Sequence, residues 1–146
     1  MNIFEAIVLY LLSKPSLTAL VSDNIFPEYS SEQTGKPFIV YKCHDIEREV
    51  HLHGASAHGD FYFIFEIYSD SSQGRNAVGE ALRNILHGRL NTTLTDARGN
   101  TCNMEWSELK RDVLGMQSPQ DGTESSIFSR IMSFRMVIKE PLPTLS

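Results

Sequence analysis

Apolar positions recur along this chain with two different periods, and the switches between them mark the elements. Ile3, Phe4, Ile7, Val8, Leu11 and Leu12 fall at helical spacing, behind an Asn2/Glu5 pair with the form of a capping box. Pro15 ends that helix and opens a short second one, with Leu17, Leu20 and Val21 on one side. Asn24 to Pro27 reads as a short edge segment, and Glu28 to Lys36 as a polar stretch with turn chemistry at Gly35. The period then becomes two. Pro37 to Ile46 is a strand, and Phe61 to Tyr68 is the clearest strand in the chain. Phe61, Phe63, Phe65 and Ile67 share one face of it, and Tyr62, Ile64, Glu66 and Tyr68 the other. The only charge lies in the second set, so the first set is assigned to the core.

Asp70 with Gln73 gives a second capping pattern. Ala77, Val78, Ala81, Leu82, Ile85 and Leu86 then form the stripe of a helix that ends at Gly88. Gly74 and Gly79 each weaken this helix by about 1 kcal/mol relative to alanine, and close helix-on-sheet packing is a reason to keep them. Leu90 to Ala97 and Thr101 to Leu109 read as two strands around an Arg98-Gly99-Asn100 turn. A polar loop follows at Gly115 to Glu124. The last strand, Ser126 to Lys139, carries Phe128, Met132, Phe134, Met136 and Ile138 on one face, and Pro141 and Pro143 end regular structure. This order predicts a single α+β domain spanning 1–146: an antiparallel β-sheet of about four to five strands with two to three helices packed on one face. Residues 46–59 and 113–125 are expected to be long interaction loops, and 140–146 a flexible C-terminal tail.

Composition narrows the function. The 146 residues are 41% hydrophobic and 21% charged, ordinary for one globular domain. Eighteen acidic and thirteen basic side chains give a net charge of −5. With that sign and no basic patch, the chain lacks the cationic surface on which nucleic-acid affinity depends. Two cysteines, Cys43 and Cys102, do not make a disulfide scaffold and read as small hydrophobes. The longest apolar run, Ala6 to Leu12, is far below the ~20 residues of a membrane span. A chain made in a reducing cytoplasm, with no membrane partner, is expected.

Familiar catalytic and phosphate-binding motifs are absent from the sequence. The cluster that invites chemistry runs from Cys43-His44-Asp45 through His51 and His53 to His58, with Glu47 and Glu49 alternating into the same face. Imidazole and carboxylate at that spacing suit a divalent metal, and a metal-dependent hydrolase using His44, His51, His53 and Glu47 is one alternative. The stretch also reads as a hairpin arm with one polar face, whose Gly-Ala-Ser-Ala-His-Gly tip offers little to orient metal ligands. That reading is preferred, with no catalytic residue, metal or cofactor assigned. Trp106 is assigned to the core or to a subunit contact. A small ligand-binding module using the Tyr62/Tyr68 face is the third alternative.

One resemblance cuts across these readings. Leu17 to Pro27 (LTALVSDNIFP), Lys36 to Tyr41 (KPFIVY), the aromatic strand ending in Ile67 to Asp70 (IYSD), and a helix with Ala77, Ala81, Leu82 and Leu86 occur in this order. The order resembles the tail-completion, or head–tail joining, proteins of long-tailed bacteriophages, which are similar in fold to the tail terminators of lambda-like siphophages. The resemblance runs from about Phe4 to Leu94, with Ser126 to Lys139 as a closing strand. It implies a non-enzymatic structural protein of the virion neck, assembled in the host cytoplasm into a ring commonly of six subunits. Such a ring caps the tail tube and joins it to the head connector, with DNA only passing through the channel. Its implied partners are copies of itself, a tail-tube protein and a head connector or neck protein. Glu47, Glu49, His51, His53 and His58 on one long segment, and Met116, Gln117 and Asp121 on the other, are the candidate interface residues. The His-rich segment is longer than a minimal hairpin requires.

Overall fold

The computed structural model describes residues 2–28, 37–51, 54–117 and 127–140; the side chains of 49–51, 54–57 and 117 lie outside what it describes. Helix α1 (Ile3–Leu12) begins at Asn2, whose side chain accepts the Glu5 N–H at 3.1 Å. Only half of the expected capping box forms. Glu5 turns away from the helix and accepts the Ala97 N–H at 2.5 Å, while the Asn2 N–H donates to Asp96 at 3.1 Å. The two polar groups thus tie the helix start to a distant turn. Helix α2 (Pro15–Val21) starts on its proline and meets α1 at 88°. Helix α3 (Ser72–Leu86) is capped by Ser71, which accepts the Gly74 N–H at 3.0 Å, one residue beyond the expected Asp70.

The strands are β1 (Ile25–Pro27), β2 (Phe38–His51), β3 (Gly54–Ser69), β4 (Arg89–Thr95), β5 (Thr101–Gln117) and β6 (Ile127–Lys139). They form one six-stranded sheet in the order β1-β2-β3-β6-β5-β4. The α+β class is as expected, while the sheet is larger than four to five strands and not wholly antiparallel, because β1 runs parallel to β2. Three strands are also longer than the alternation suggested. β2 and β3 run through most of the 46–59 segment, so that stretch is paired strand, the hairpin arm of the preferred reading, and not a loop. β5 continues past Leu109 to Gln117, so the loop expected at 113–125 starts no earlier than 118. Bulges between Met104 and Trp106 and between Leu109 and Arg111 interrupt the period of two in β5. The remainder of that loop and the tail beyond Glu140 lie outside the described residues.

All three helices cover one face. Phe61, Phe63, Phe65 and Ile67 of β3 and Met132, Phe134, Met136 and Ile138 of β6 are buried against Ile7 and Leu11, Leu17 and Val21, and Val78, Leu82 and Leu86. The β3 rings stack along the strand at 6.4 and 6.2 Å between centroids, and Phe134 meets Phe65 edge-on at 5.7 Å. Each buried ring contributes roughly 1.5–3 kcal/mol by leaving water.

One cation sits within this apolar layer. Arg130 of β6 points to the helix side and is only 7% exposed. Its guanidinium donates to both oxygens of Asp112 on β5, at 2.8 and 2.6 Å, and to Glu80 on α3 at 3.1 Å. Hydrogen bonding to Asp112 raises the Arg130 pKa above its ordinary value, against the opposing effect of burial. This contact accounts for Gly79: a Cβ there would lie 2.3–2.6 Å from the guanidinium and Cδ of Arg130. The side chain is held by Asp112 and Glu80 and has little room to yield. Overpacking of this kind costs about 1–3 kcal/mol, against the ~1 kcal/mol that alanine gains in a helix. Gly79→Ala is therefore expected to lower stability by about 1 kcal/mol in urea denaturation, and a stabilised variant would show that Arg130 is not pinned.

Candidate interaction surfaces

The sheet has two distinct ends. At one, the β2–β3 arm continues beyond the last β6 pairing, His58 with Lys139, so that Val50 and His51 pair only with Ala55 and Gly54. At the other, β5 and β6 remain paired to Gln117 and Ile127, at the level where β3 ends on Ser69. The antiparallel run β2, β3, β6, β5 therefore turns its two long hairpins at opposite ends of one sheet.

At the base of the arm, Arg48 pairs with Glu140 at 3.1 Å and lies over the Phe61 ring at 5.7 Å. His58 meets Glu105 at 3.1 Å. A cleft of about 610 Å³ opens between this base, the start of α1 and the β4–β5 turn, with Phe4, Glu5, Arg48, Asp96 and Glu140 among its walls. Asp96 organises that turn. Its carboxylate accepts the N–H groups of Arg98 and Asn100 at 3.0 and 2.9 Å, the Asn100 side-chain amide at 3.2 Å and the Asn2 N–H at 3.1 Å. Gly99 takes the positive φ of +84° on which the turn depends. Desolvation pushes the Asp96 pKa up, but these four donors together outweigh it and hold the carboxyl at about 2, below its ordinary 3.8.

Of the residues singled out as interface candidates, Glu47 is exposed on β2 and Met116 is exposed near the end of β5. Glu49, His51 and Gln117 lie on strands, with side chains outside the described set; His53 and Asp121 lie outside the described residues. Met116 and the Glu47 to His58 group occupy opposite ends of the sheet. Among the described residues no three His, Cys, Asp or Glu side chains gather as metal ligands would. His44 packs on Tyr62, whereas His58 turns to Glu105. Tyr62 and Tyr68 share the helix-free face but stand six residues apart, about 20 Å along the strand, so they do not converge on one ligand. Tyr68 stacks on Phe38 at 5.4 Å and donates to Glu66 at 2.9 Å. Burial first, then the Glu66 hydrogen bond and charge, push its pKa up to about 12. Cys43 and Cys102 are both free thiols, Cys102 buried and Cys43 half-buried.

The helix-free face carries paired charges across its strands. Lys42 meets Glu66 at 2.9 Å, Arg135 meets Asp60 at 2.8 Å and Glu108 at 3.6 Å, and Arg135 also covers Trp106 at 5.6 Å. The pattern missed in the sequence is the distal part of β5. There Val113, Leu114 and Met116 are 40%, 57% and 60% exposed. Lys110-Arg111-Asp112 broke the apolar alternation and hid the strand. The available signal was Asp112, three residues after Leu109, as a counter-ion for the single charge among the apolar positions of β6.

No family model and no curated protein matches the chain. Among solved structures, the fold is similar to that of a chain in the virion of a native gene transfer agent particle. The TM-score is 0.66 over 90% of each chain, at 16% identity. The two chains therefore share an α+β architecture.

The Asp96 site generates a pH prediction. Because the folded pKa lies below the unfolded one, its stabilisation is complete above about 4 and is lost as pH falls from 3.8 towards 2. Asp96→Asn should lower stability at neutral pH and flatten the acid limb of a denaturation profile between pH 4 and 2. An acid limb unchanged from wild type would remove Asp96 from this role.

Proposed function

We propose that this chain is a structural protein of a phage-like virion, forming a ring at the neck that terminates the tail tube and joins it to the head connector. The observation that carries the proposal is that the two long hairpins turn at opposite ends of one sheet, the β2–β3 arm reaching past the last β6 pairing. A joint between two unlike bodies needs contact surfaces directed two ways from a rigid centre, and the buried β3–β6 seam supplies that centre. Similarity in fold to a chain of the gene transfer agent virion supports the same reading. The net charge of −5 also fits, since DNA phosphates passing an acidic protein find little cationic surface to hold them. In this role the protein makes and breaks no covalent bonds; its partners are its own copies, a tube protein below and a connector protein above. The arm around Glu47 to His58 is the docking element at one end, and the end of the β5–β6 hairpin the docking element at the other.

Among the described residues the arm beyond His58 pairs only with itself, so it can be shortened without cutting the sheet. Replacing residues 50–57 by a two-residue Asn-Gly turn should leave the thermal unfolding midpoint within a few degrees of wild type. Particle assembly should then stop at separate filled heads and finished tails, visible by negative-stain microscopy. Normal yields of joined particles would overturn the assignment of the arm.

A further inference from the structure

The two lateral edges of the sheet are only partly covered. On one side, β1 pairs with Ile39, Val40 and Tyr41 of β2, and from Lys42 onward no described strand covers the outer edge of β2. On the other, β4 pairs with β5 no further than Ser107. The Gly88 N–H donates to the Ser107 carbonyl at 2.8 Å and the Leu109 N–H to His87 at 2.9 Å. Past Leu109, no described strand covers β5.

The open halves differ in character. Exposed His44, Asp45, Glu47 and Arg48 occupy the β2 edge, the kind of charge that keeps an edge from indiscriminate pairing. From Val113 to Gln117 the β5 edge has no charged residue and exposes Val113, Leu114 and Met116. A row of open main-chain groups flanked by apolar side chains is complementary to another extended strand.

We infer that copies of this chain join edge to edge, the distal β5 edge of one pairing antiparallel with the outer β2 edge of the next. Resting on the ring reading, this identifies the surfaces that close the ring. Polarity allows it, because β2 and β5 run in opposite directions within the sheet. Face and register allow it too. Cys43, Ile46 and Arg48 of β2 lie on the helix side, opposite Phe63, Phe61 and Gly59. Asp112, Leu114 and Met116 of β5 lie on the helix side, opposite Met132, Arg130 and Phe128. Setting Met116 against Cys43 brings Leu114 against Ile46 and Asp112 against Arg48, once the β2 bulge at His44 is allowed for. Apolar meets apolar and opposite charges meet, whereas a slip of one residue would put the helix side of one copy against the open side of the next.

The same register fits a closed ring. Met116 lies at the level of Phe128 and Cys43 at the level of Phe134, so neighbours are staggered by about six residues, roughly 20 Å. The repeat across is the β2, β3, β6, β5 set, about 19 Å at ~4.8 Å per strand. Strands would tilt by about 45°, at the upper end of the tilts of closed barrels. β1 and β4 would continue the columns of the neighbouring β5 and β2.

Native Cys43 makes the contact testable with one substitution. Met116→Cys places a second thiol across the proposed pair, where Cα atoms of a hydrogen-bonded antiparallel pair lie about 5.5 Å apart, within disulfide reach. Oxidation of the full chain, both purified at high concentration and in assembled particles, should give a non-reducing ladder of multimers that Cys43→Ser abolishes. A cross-link that survives Cys43→Ser would mean that β5 edges meet each other, and cross-linking only to a different protein would mean that another strand covers the edge; either overturns the inference. Copies that assemble by sedimentation or in particles without any cross-link also overturn it, leaving the ring reading intact. Single copies in both settings would defeat the ring reading itself. In parallel, Leu114→Lys at an exposed position should weaken self-association at least tenfold with Tm unchanged; undiminished association would count against the pairing.

Discussion

The burial of one face of β3 governs the rest of the molecule. Phe61, Phe63, Phe65 and Ile67 are almost wholly removed from water, and β3 is the strand through which β2 and β6 are related. A shift by a single residue would carry all four side chains to the helix-free face. The apolar cost of such a shift is several kcal/mol, so the register of β2 and β6 against β3 has no near competitor. Every other placement, from the His58–Lys139 level to the opposite end at Ser69–Phe128, follows from that alignment.

A sheet covered by helices on one face has an open face, two ends and two edges left, and this chain treats them differently. The helix-free face is closed by its own side chains, with Lys42–Glu66 and Asp60–Arg135–Glu108 linking neighbouring strands. The two ends carry the long hairpins, and the two edges are each half-covered by a short strand. The stable seam keeps the ends at a fixed separation, while among the described residues the edges retain main-chain groups available to another extended chain.

The Arg130 cluster shows how the internal packing supports this arrangement. Arg130 joins β6 to β5 through Asp112 and to α3 through Glu80. It thereby holds the first part of the distal β5 strand beneath the helix, beyond the reach of β4. A buried cation is costly unless paired, so the three residues are strongly coupled, and the close approach of α3 that they require is possible because position 79 has no side chain.

Local pattern determined a good deal. Helical spacing placed α1, α2 and α3, alternation chose the buried face of β3 and β6, and Pro15 and Gly99 marked a helix start and a turn; each depends on neighbours within a few residues. The β2–β3 arm was legible as a polar segment between two strands. What the sequence did not disclose was decided by partners far along the chain. Glu5 left its capping box for Ala97 because the β4–β5 turn lies against the helix start. β5 extended through Lys110-Arg111-Asp112 because Arg130 supplies Asp112 with a counter-charge and two bulges absorb the broken period. The open edges are likewise products of strand order, since whether a strand lies inside a sheet or at its border depends on which distant segment pairs with it. Periodicity is a one-dimensional property and can be read along the chain, whereas an edge, a buried ion pair and the opposition of two hairpins exist only after the strands have been set side by side.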